Sequence, residues 1–427
     1  MARYVFHIDV NSAYLSWSAV YRIGVLGIGP DLRTLPAVVG GDEKSRHGIV
    51  LAKSGPAKKY GIMTGEPLVF ARQKCPQLVV IPPDYGLYVG ASKALMELLR
   101  RYTDEITQYS IDEAWAVFDG CEGLYGPIVS FALDLKEEIK RELGFTVNIG
   151  ISTNRLLAKT AGELRKPDRV NTLFPEEIER KLWPLPVEEM FGIGAATAKK
   201  LHRLGIFTLG QLAKADSSML AAHLKKYGQI LQRFANGGEL EPYIFEQEAN
   251  KGYGNSMTVP MDVTDDRTAH QVLLSLCETV GMRLREDRAK GSVAGIHVRT
   301  FTFENAGRQK QLFSATDVTW EIYRQATELL DQLWDHKTPL RQFGVFVSGI
   351  VKDCPRQYNL FDGDRFERLE KLDRAVDEIR KKYGEDAVMR AAFLKAPIHH
   401  MNGGLCSGRR TGVTAGIALE KEKSAGF

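Results

Sequence analysis

The stretch YVFHIDVNSAY, residues 4–14, decides how this chain is read. Phe6, Ile8 and Val10 alternate with His7 and Asp9, the period-two pattern of a strand that turns Asp9 away from the apolar face. SAYLSWSAVYRI continues with helical apolar spacing, so a strand-to-helix α/β unit opens the chain. A second strand-like stretch, QYSIDEAWAVF at 108–118, carries Asp112 and Glu113 side by side. Three acidic groups on two strands suit a hard divalent cation such as magnesium, which takes oxygen ligands. Neighbours on a regular strand face opposite ways. Asp112 and Glu113 can therefore share an ion only at a turn or bulge, with Asp9 brought alongside by strand pairing. Standing alone, such groups would read as solvated strand ends, and the surrounding residues decide the matter.

Working outward, LPAVVGG (35–41), GIVLAK (48–53) and QLVVIPPD (77–84) are strand-like, with a helix-like PAKKYG between the last two. Residues 85 to 173 run helix, strand pair, helix, strand and helix, which suggests an α+β sheet with an insertion near residue 40. Residues 175 to 240 read as wholly helical, punctuated by Pro175, Pro184, Pro186 and paired glycines. From about 243 to 352 the order is β, α, β, β, α, β, a split-βαβ pattern. The expected class is α/β, in the α+β sense, and multidomain. After 353 come PRQYNLFDG, a charged helix and a glycine-rich end.

The chain has 427 residues, enough for two to four domains, of which 26% are charged and 44% apolar. That composition excludes wholesale disorder, and no apolar run is long enough to cross a bilayer. MARYVFHIDV lacks a signal-peptide pattern, so a cytoplasmic protein with no membrane partner is expected. Cys75, Cys121, Cys277, Cys354 and Cys406 show no CxxC spacing, which fits reduced thiols and argues against a zinc site. A net charge of +4 permits nucleic-acid binding without requiring it.

The motifs HIDVNSAY, YSIDEA, NIGISTNRLLAKTAGELRKPD, FGIGAATAKKLHRLGI and QYNLF stand here in one order. In that order and spacing the chain resembles the Y-family, or lesion-bypass, DNA polymerases, in the DNA polymerase IV branch, over residues 1 to about 361. The resemblance implies a right-hand architecture: palm (1–30 and 80–173), fingers (31–79), helical thumb (174–240) and a split-βαβ little finger (243–352). A clamp-binding peptide with a helical and flexible tail (353–427) would follow. It makes Asp9, Asp112 and Glu113, with the Val10 backbone carbonyl, the ligands of two Mg2+ ions. The reaction implied is attack of a primer 3′-hydroxyl on a deoxynucleoside triphosphate, with low fidelity and no proofreading. Tyr14 would be the steric gate against ribonucleotides, although its spacing alone fits a core aromatic. Lys166 would contact the triphosphate. Lys159 precedes it by seven residues, about two turns on a shared helix face, and Asn154 is a possible N-cap.

VLAKSGPAKKYGIMTG departs from the family pattern, placing Gly55 and Lys58 where an aromatic residue and an arginine are usual. Lysine keeps the charge and loses the guanidinium fork, so weaker nucleotide binding is expected, with the Ser54 hydroxyl as a compensating contact. The alternatives are a catalytically weakened DNA- and clamp-binding homologue or another palm-type enzyme such as a nucleotide cyclase. The short run Gly40, Gly41, Asp42, Glu43 echoes a cyclase signature but continues with Lys44 and is read as a strand-to-turn segment.

For primer-template DNA, Gly192 and Gly194, with Lys199 and Lys200, read as a helix-hairpin-helix that meets phosphate. In the later mixed domain the basic candidates are Lys251, Arg283, Arg285, Arg288, Lys290, Arg299 and Arg341, with Arg285 and Arg299 preferred. Gln357, Leu360 and Phe361 of QYNLF would dock on a sliding clamp. Phe366, Leu369, Leu372, Val376, Ile379 and Tyr383 form an apolar face on the next helix, read as packing on its own molecule. His399 and His400 read as incidental, and a monomer is expected.

Overall fold

A computed structural model describes residues 3–41, 48–120, 122–239, 250–352 and 363–401. The described residues form two compact units, the first built from residues within 3–40 and 50–239, the second from residues within 250–401. The first begins with β1 (Arg3–Val10), α1 (Ala13–Gly24), β2 (Ala37–Gly40), β3 (Val50–Lys53), α2 (Gly55–Lys59), α3 (Leu68–Lys74) and β4 (Val79–Ile81). It continues through α4 (Tyr85–Leu99), β5 (Ile106–Gln108), β6 (Glu113–Asp119), α5 (Glu122–Tyr125), α6 (Ile128–Leu143), β7 (Val147–Ser152), α7 (Arg155–Leu164) and β8 (Val170–Thr172). Four helices close it: α8 (Ala195–Arg203), α9 (Leu209–Lys214), α10 (Ser217–Leu224) and α11 (Lys226–Ala235).

β1 is the middle strand of a five-stranded sheet ordered β5-β6-β1-β7-β8, antiparallel except for the β7–β8 pair. Both of its faces are covered. Phe6 meets Phe118 and Phe131 of α6, at ring-centroid distances of 4.6 and 5.9 Å. On the opposite face, Val5 and the β6 residue Trp115 join an apolar core with Leu156 and Leu157 of α7, and this core continues into α8–α11. His7 and Asp9 are consequently buried, whereas alternation alone had suggested an outward-facing edge. A smaller sheet, β3-β2-β4, packs its own core around Val38, Val50, Ile62 and Leu68.

The second unit comprises β9 (Gly252–Val263), α12 (Asp266–Glu286), β10 (Ala289–Thr300), β11 (Asn305–Thr316), α13 (Thr319–Leu333), β12 (Leu340–Lys352) and α14 (Gly363–Tyr383). Its antiparallel sheet is ordered β11-β10-β12-β9, with α12 and α13 supplying Val272, Leu276, Val280, Ile322 and Leu329 to the core. The apolar stripe read on α14 is its buried face only in part, with Phe366 buried and Leu369 and Val376 half-buried. Leu372, Ile379 and Tyr383 are exposed, while Phe366, Asp373 and Arg380, spaced by seven, are buried. Ion pairing explains the change. Asp373 bonds Arg285 of α12, and Arg380 bonds Glu278 of the same helix at 2.6 Å. No helix among the described residues is long and apolar enough to cross a membrane.

Candidate metal centre and nucleic-acid surfaces

Asp9 is the penultimate residue of β1 and Glu113 begins β6, and the two are Cα partners in the antiparallel ladder. Asp112 sits in the bend just before β6, and its carbonyl accepts the Val10 amide at 3.1 Å. The turn that the sequence requires is therefore present, but the carboxylates within reach of one ion are Asp9, Glu113 and Glu163, and Asp112 is not among them. The Asp112 carboxylate accepts a 2.6 Å hydrogen bond from the Ser110 hydroxyl. Glu163, near the end of α7, was not singled out from sequence, yet its carboxylate lies close to those of Asp9 and Glu113.

Two lysines partly offset the charge of this acidic group. Lys159 Nζ lies 2.7 Å from Glu113, and Lys166 Nζ bonds Asp9 and also Glu163, the latter at 2.6 Å. Burial raises the Asp9 carboxyl to about 6, with Glu113 and Asp112 adding to the rise and Lys166 opposing it. A site that already draws two ammonium groups onto buried carboxylates suits divalent cations, and its oxygen donors match magnesium. Lys166 lies beyond the end of α7, because Arg165 is already extended, so the helix face read from its seven-residue spacing does not exist at that end.

The position of this segment has local causes. The Asn154 side chain accepts the Leu157 amide at 2.8 Å and caps the start of α7. At the other end the buried Asn148 of β7, register partner of Asp9, donates to the carbonyls of Gly162 and Arg165 at 2.9 and 2.8 Å. Sequence reasoning passed over Asn148, although an asparagine inside the apolar run VNIGIS is a usable signal. Gly150 lets α7 approach β7: a Cβ there would stand 2.0 Å from the Ala158 carbonyl oxygen and 2.3 Å from the Gly162 nitrogen. His7 lies behind the site, its Nε2 3.5 Å from Lys159 Nζ. Burial, followed by the charges of Lys159 and Lys166, lowers its pKa well below the ordinary histidine value.

Tyr14 of α1 stacks on Tyr88 of α4, with centroids 4.4 Å apart and planes within 5°. Burial raises its hydroxyl to about 12, assisted by Tyr85 and Asp112. Ser54 is a different matter. It is 2% exposed, donates to the Leu35 carbonyl at 2.6 Å, and accepts from the Ala37 and Ala57 amides. Its hydroxyl caps α2 and is consumed there, so the nucleotide contact expected of it is corrected to a structural one. Gly55 has open space around the position of a Cβ, and Lys58 is exposed.

Gly192, at φ +91°, and Gly194 lead into α8, where Lys199 and Lys200 are exposed. A capping box follows, in which Thr208 and Gln211 each accept the other's amide. In the second unit Arg285 is corrected as a DNA contact. Its side chain is 6% exposed, paired with Asp377 at 2.5 Å and Asp373 at 3.3 Å. Arg299 donates to Asn305 across the β10–β11 hairpin at 2.8 Å, and Lys290 reaches toward Glu370. Arg283 donates to the Gly254 carbonyl, Arg341 lies over the Phe303 ring, and Lys251 and Arg288 are exposed. Gln357, Leu360 and Phe361 lie outside the described residues, as do Asp42 to Lys44.

With this geometry in hand, comparison with known proteins is specific. Residues 8–163 match the impB/mucB/samB family, residues 175–206 its helix-hairpin-helix motif and residues 250–360 its C-terminal domain. A "DNA polymerase IV" of Clostridium acetobutylicum is 45% identical over 396 residues, covering 92% of this chain and 99% of the relative. A "DNA polymerase IV" of Acetivibrio thermocellus is 36% identical over 400 residues, covering 92% and 98%. Among solved structures, a "Y-family DNA polymerase chimera Dbh-Dpo4(243-245)-Dbh" aligns with a TM-score of 0.66 at 22% identity, over 82% of this chain and 100% of the other.

Proposed function

Because the chain belongs to the impB/mucB/samB family of Y-family DNA polymerases, we propose that the centre at Asp9, Asp112 and Glu113 performs templated addition of deoxynucleotides to a primer 3′-hydroxyl. The enzyme is a translesion DNA polymerase of the DNA polymerase IV type. The observation that carries the site assignment is the register pairing of Asp9 with Glu113, with Asp112 in the adjoining bend. Two Mg2+ ions would be held by these carboxylates and the Val10 carbonyl, and would supply Lewis acidity for the hydroxyl and counter-charge for the triphosphate.

The chain's own groups do the rest. The sheet around β1 serves as palm, the β3-β2-β4 layer with α2 and α3 as fingers, α8–α11 as thumb, and the sheet of the second unit as little finger. Lys166 moves from Asp9 to the triphosphate once the carboxylates are engaged elsewhere, which keeps one positive charge available in both states. The flat Tyr14–Tyr88 stack gives the gate ring a fixed orientation beneath the sugar. With Ser54 consumed as a cap, Lys58 and Lys166 carry the triphosphate contact, which favours weaker nucleotide binding than an arginine-bearing relative would show. Gly192 and Gly194 with Lys199 and Lys200 hold the duplex backbone, and Arg299 contributes from the little finger. Gln357, Leu360 and Phe361 dock the enzyme on a sliding clamp. Primer extension with magnesium tests the reading, and incorporation that survives both Asp9→Asn and Asp112→Asn would overturn it.

A further inference from the structure

The second unit carries a histidine–carboxylate cluster that polymerase chemistry does not use. After α14 the chain makes a short turn at Glu385–Ala387, a second at Ala391–Phe393, and returns through Ile398 to Met401. That return brings Nε2 of His399 and Nε2 of His400 each to 3.0 Å from one oxygen, Oδ1 of Asp386. The two imidazole centroids are 4.6 Å apart. Adjacent histidines in a glycine-rich end had read as incidental; the fold gives them a common target.

The cluster is held from behind. Ser275 of α12 donates to the His399 carbonyl at 2.8 Å, and Gln271 donates to the Ala392 carbonyl at 2.6 Å. Phe393 and Met401 are buried, and His400 is 4% exposed. Nδ1 of His399 lies 3.0 Å from the Met401 carbonyl oxygen and 3.1 Å from the Met401 amide nitrogen, so the Met401 backbone holds that ring in place. Nδ1 of His400 is buried without a hydrogen bond. Asp386 is on the open side, its carboxylate 69% exposed, which leaves room for water as a further ligand. The positive charge of nearby Arg380 is spent on Glu278.

We propose that Asp386, His399 and His400 form a zinc site that ties the segment after α14 back onto its own helix end. Two imidazoles and one carboxylate select a borderline transition-metal ion over magnesium, which prefers oxygen alone. The spacing agrees. Ligand atoms about 2.0 Å from a tetrahedral zinc stand about 3.3 Å apart, near the separations found between Asp386 and each histidine. The role is structural, joining residues whose backbone already rests on α12.

The test uses the full chain without a histidine tag, stripped with chelator and kept in excess magnesium so that the Asp9 centre is filled. Zinc titration by calorimetry should give one site per chain, and cobalt should give the visible absorption of a four-coordinate nitrogen–oxygen site. Asp386→Asn and His399→Gln, both at partly open positions, should each weaken zinc binding at least about tenfold. Zinc should also raise the thermal transition of the wild-type chain and leave that of Asp386→Asn unmoved. No zinc uptake under these conditions, or uptake unchanged in both variants, would overturn the site.

Discussion

Asp9 and Glu113 face each other across the β1–β6 ladder, and each is met by a lysine from an opposite end of one segment, Lys166 for Asp9 and Lys159 for Glu113. The acidic pair is therefore partly compensated before any substrate arrives, with Lys166 shared between Asp9 and Glu163, and Lys166 has a further possible partner in a triphosphate. Lys166→Ala should raise the KM for the incoming nucleotide about ten- to a hundredfold, the cost of one charge-assisted hydrogen bond. Steady-state single-nucleotide incorporation measures it. An unchanged KM would assign Lys166 to the acidic centre alone.

Tyr14 packs flat on Tyr88 while its other neighbours, Trp17 and Tyr85, meet it at tilted or edge-on angles. Removing the ring opens space beside the sugar position without touching the carboxylates. Tyr14→Ala should lower discrimination against ribonucleotides by at least about tenfold while deoxynucleotide incorporation persists. Competing incorporation of matched ribo- and deoxyribonucleotides reads the ratio, and an unaltered ratio would refute the gate.

How far these features could be read beforehand depended on how local their causes are. Asp112 and Glu113 demanded a bend and a paired Asp9, because strand geometry alone forbids the alternative. The cap at Asn154 acts within four residues. Ser54 and Arg285 were misread for the opposite reason. The acceptor for Ser54 is the Leu35 carbonyl on an earlier loop, and the partners of Arg285, Asp373 and Asp377, lie some ninety residues later on α14. The same distance hid the ionic face of α14: hydrophobic periodicity weighs apolar residues and misses a charged face neutralised by another helix. That the Asp9 face of β1 is covered by α7 was not legible, because nothing in the strand itself announces that helix.

QYNLF can be tested separately from catalysis. Leu360→Ala with Phe361→Ala should leave extension of a short primed template unchanged in the absence of a clamp and abolish stimulation by the clamp. Stimulation that survives the double change would remove this peptide from the clamp interface.

Gly150 is where backbone meets backbone. A methyl at that position collides with the Ala158 carbonyl and the Gly162 amide, neither of which is a flexible side-chain end. Gly150→Ala should therefore push α7 off β7, cost about 1–3 kcal/mol or more, and displace Lys159 and Lys166 together. Thermal unfolding should show the loss, and incorporation should fall even where the chain remains folded. A fully stable, fully active variant would mean that α7 can shift without disturbing the acidic centre.

The ion network under α14 has a pH dependence whose sign follows from Glu278. Burial pushes its carboxyl up, but Arg390 and then Arg380 outweigh burial and hold it below the ordinary carboxylate value. A depressed carboxyl contributes stability that is complete above its unfolded pKa and is lost as pH falls through the folded one. Asp373 runs the other way. Burial raises it despite Arg285 and Arg390, so its ionisation costs stability at neutral pH and that cost is relieved on acidification. Replacing Glu278 isolates the first effect: Glu278→Gln takes the carboxylate from Arg380, leaves Arg390 with Asp373 alone, and should cost about 3–5 kcal/mol at neutral pH. The deficit should narrow once the pH falls below the ordinary carboxylate range, because the wild-type group is then protonated too. Hydrogen exchange of the α14 amides, followed in both chains from neutral to acid pH, measures the gap. A gap that stays constant across that range would show that Glu278 braces the helix by packing and not by charge.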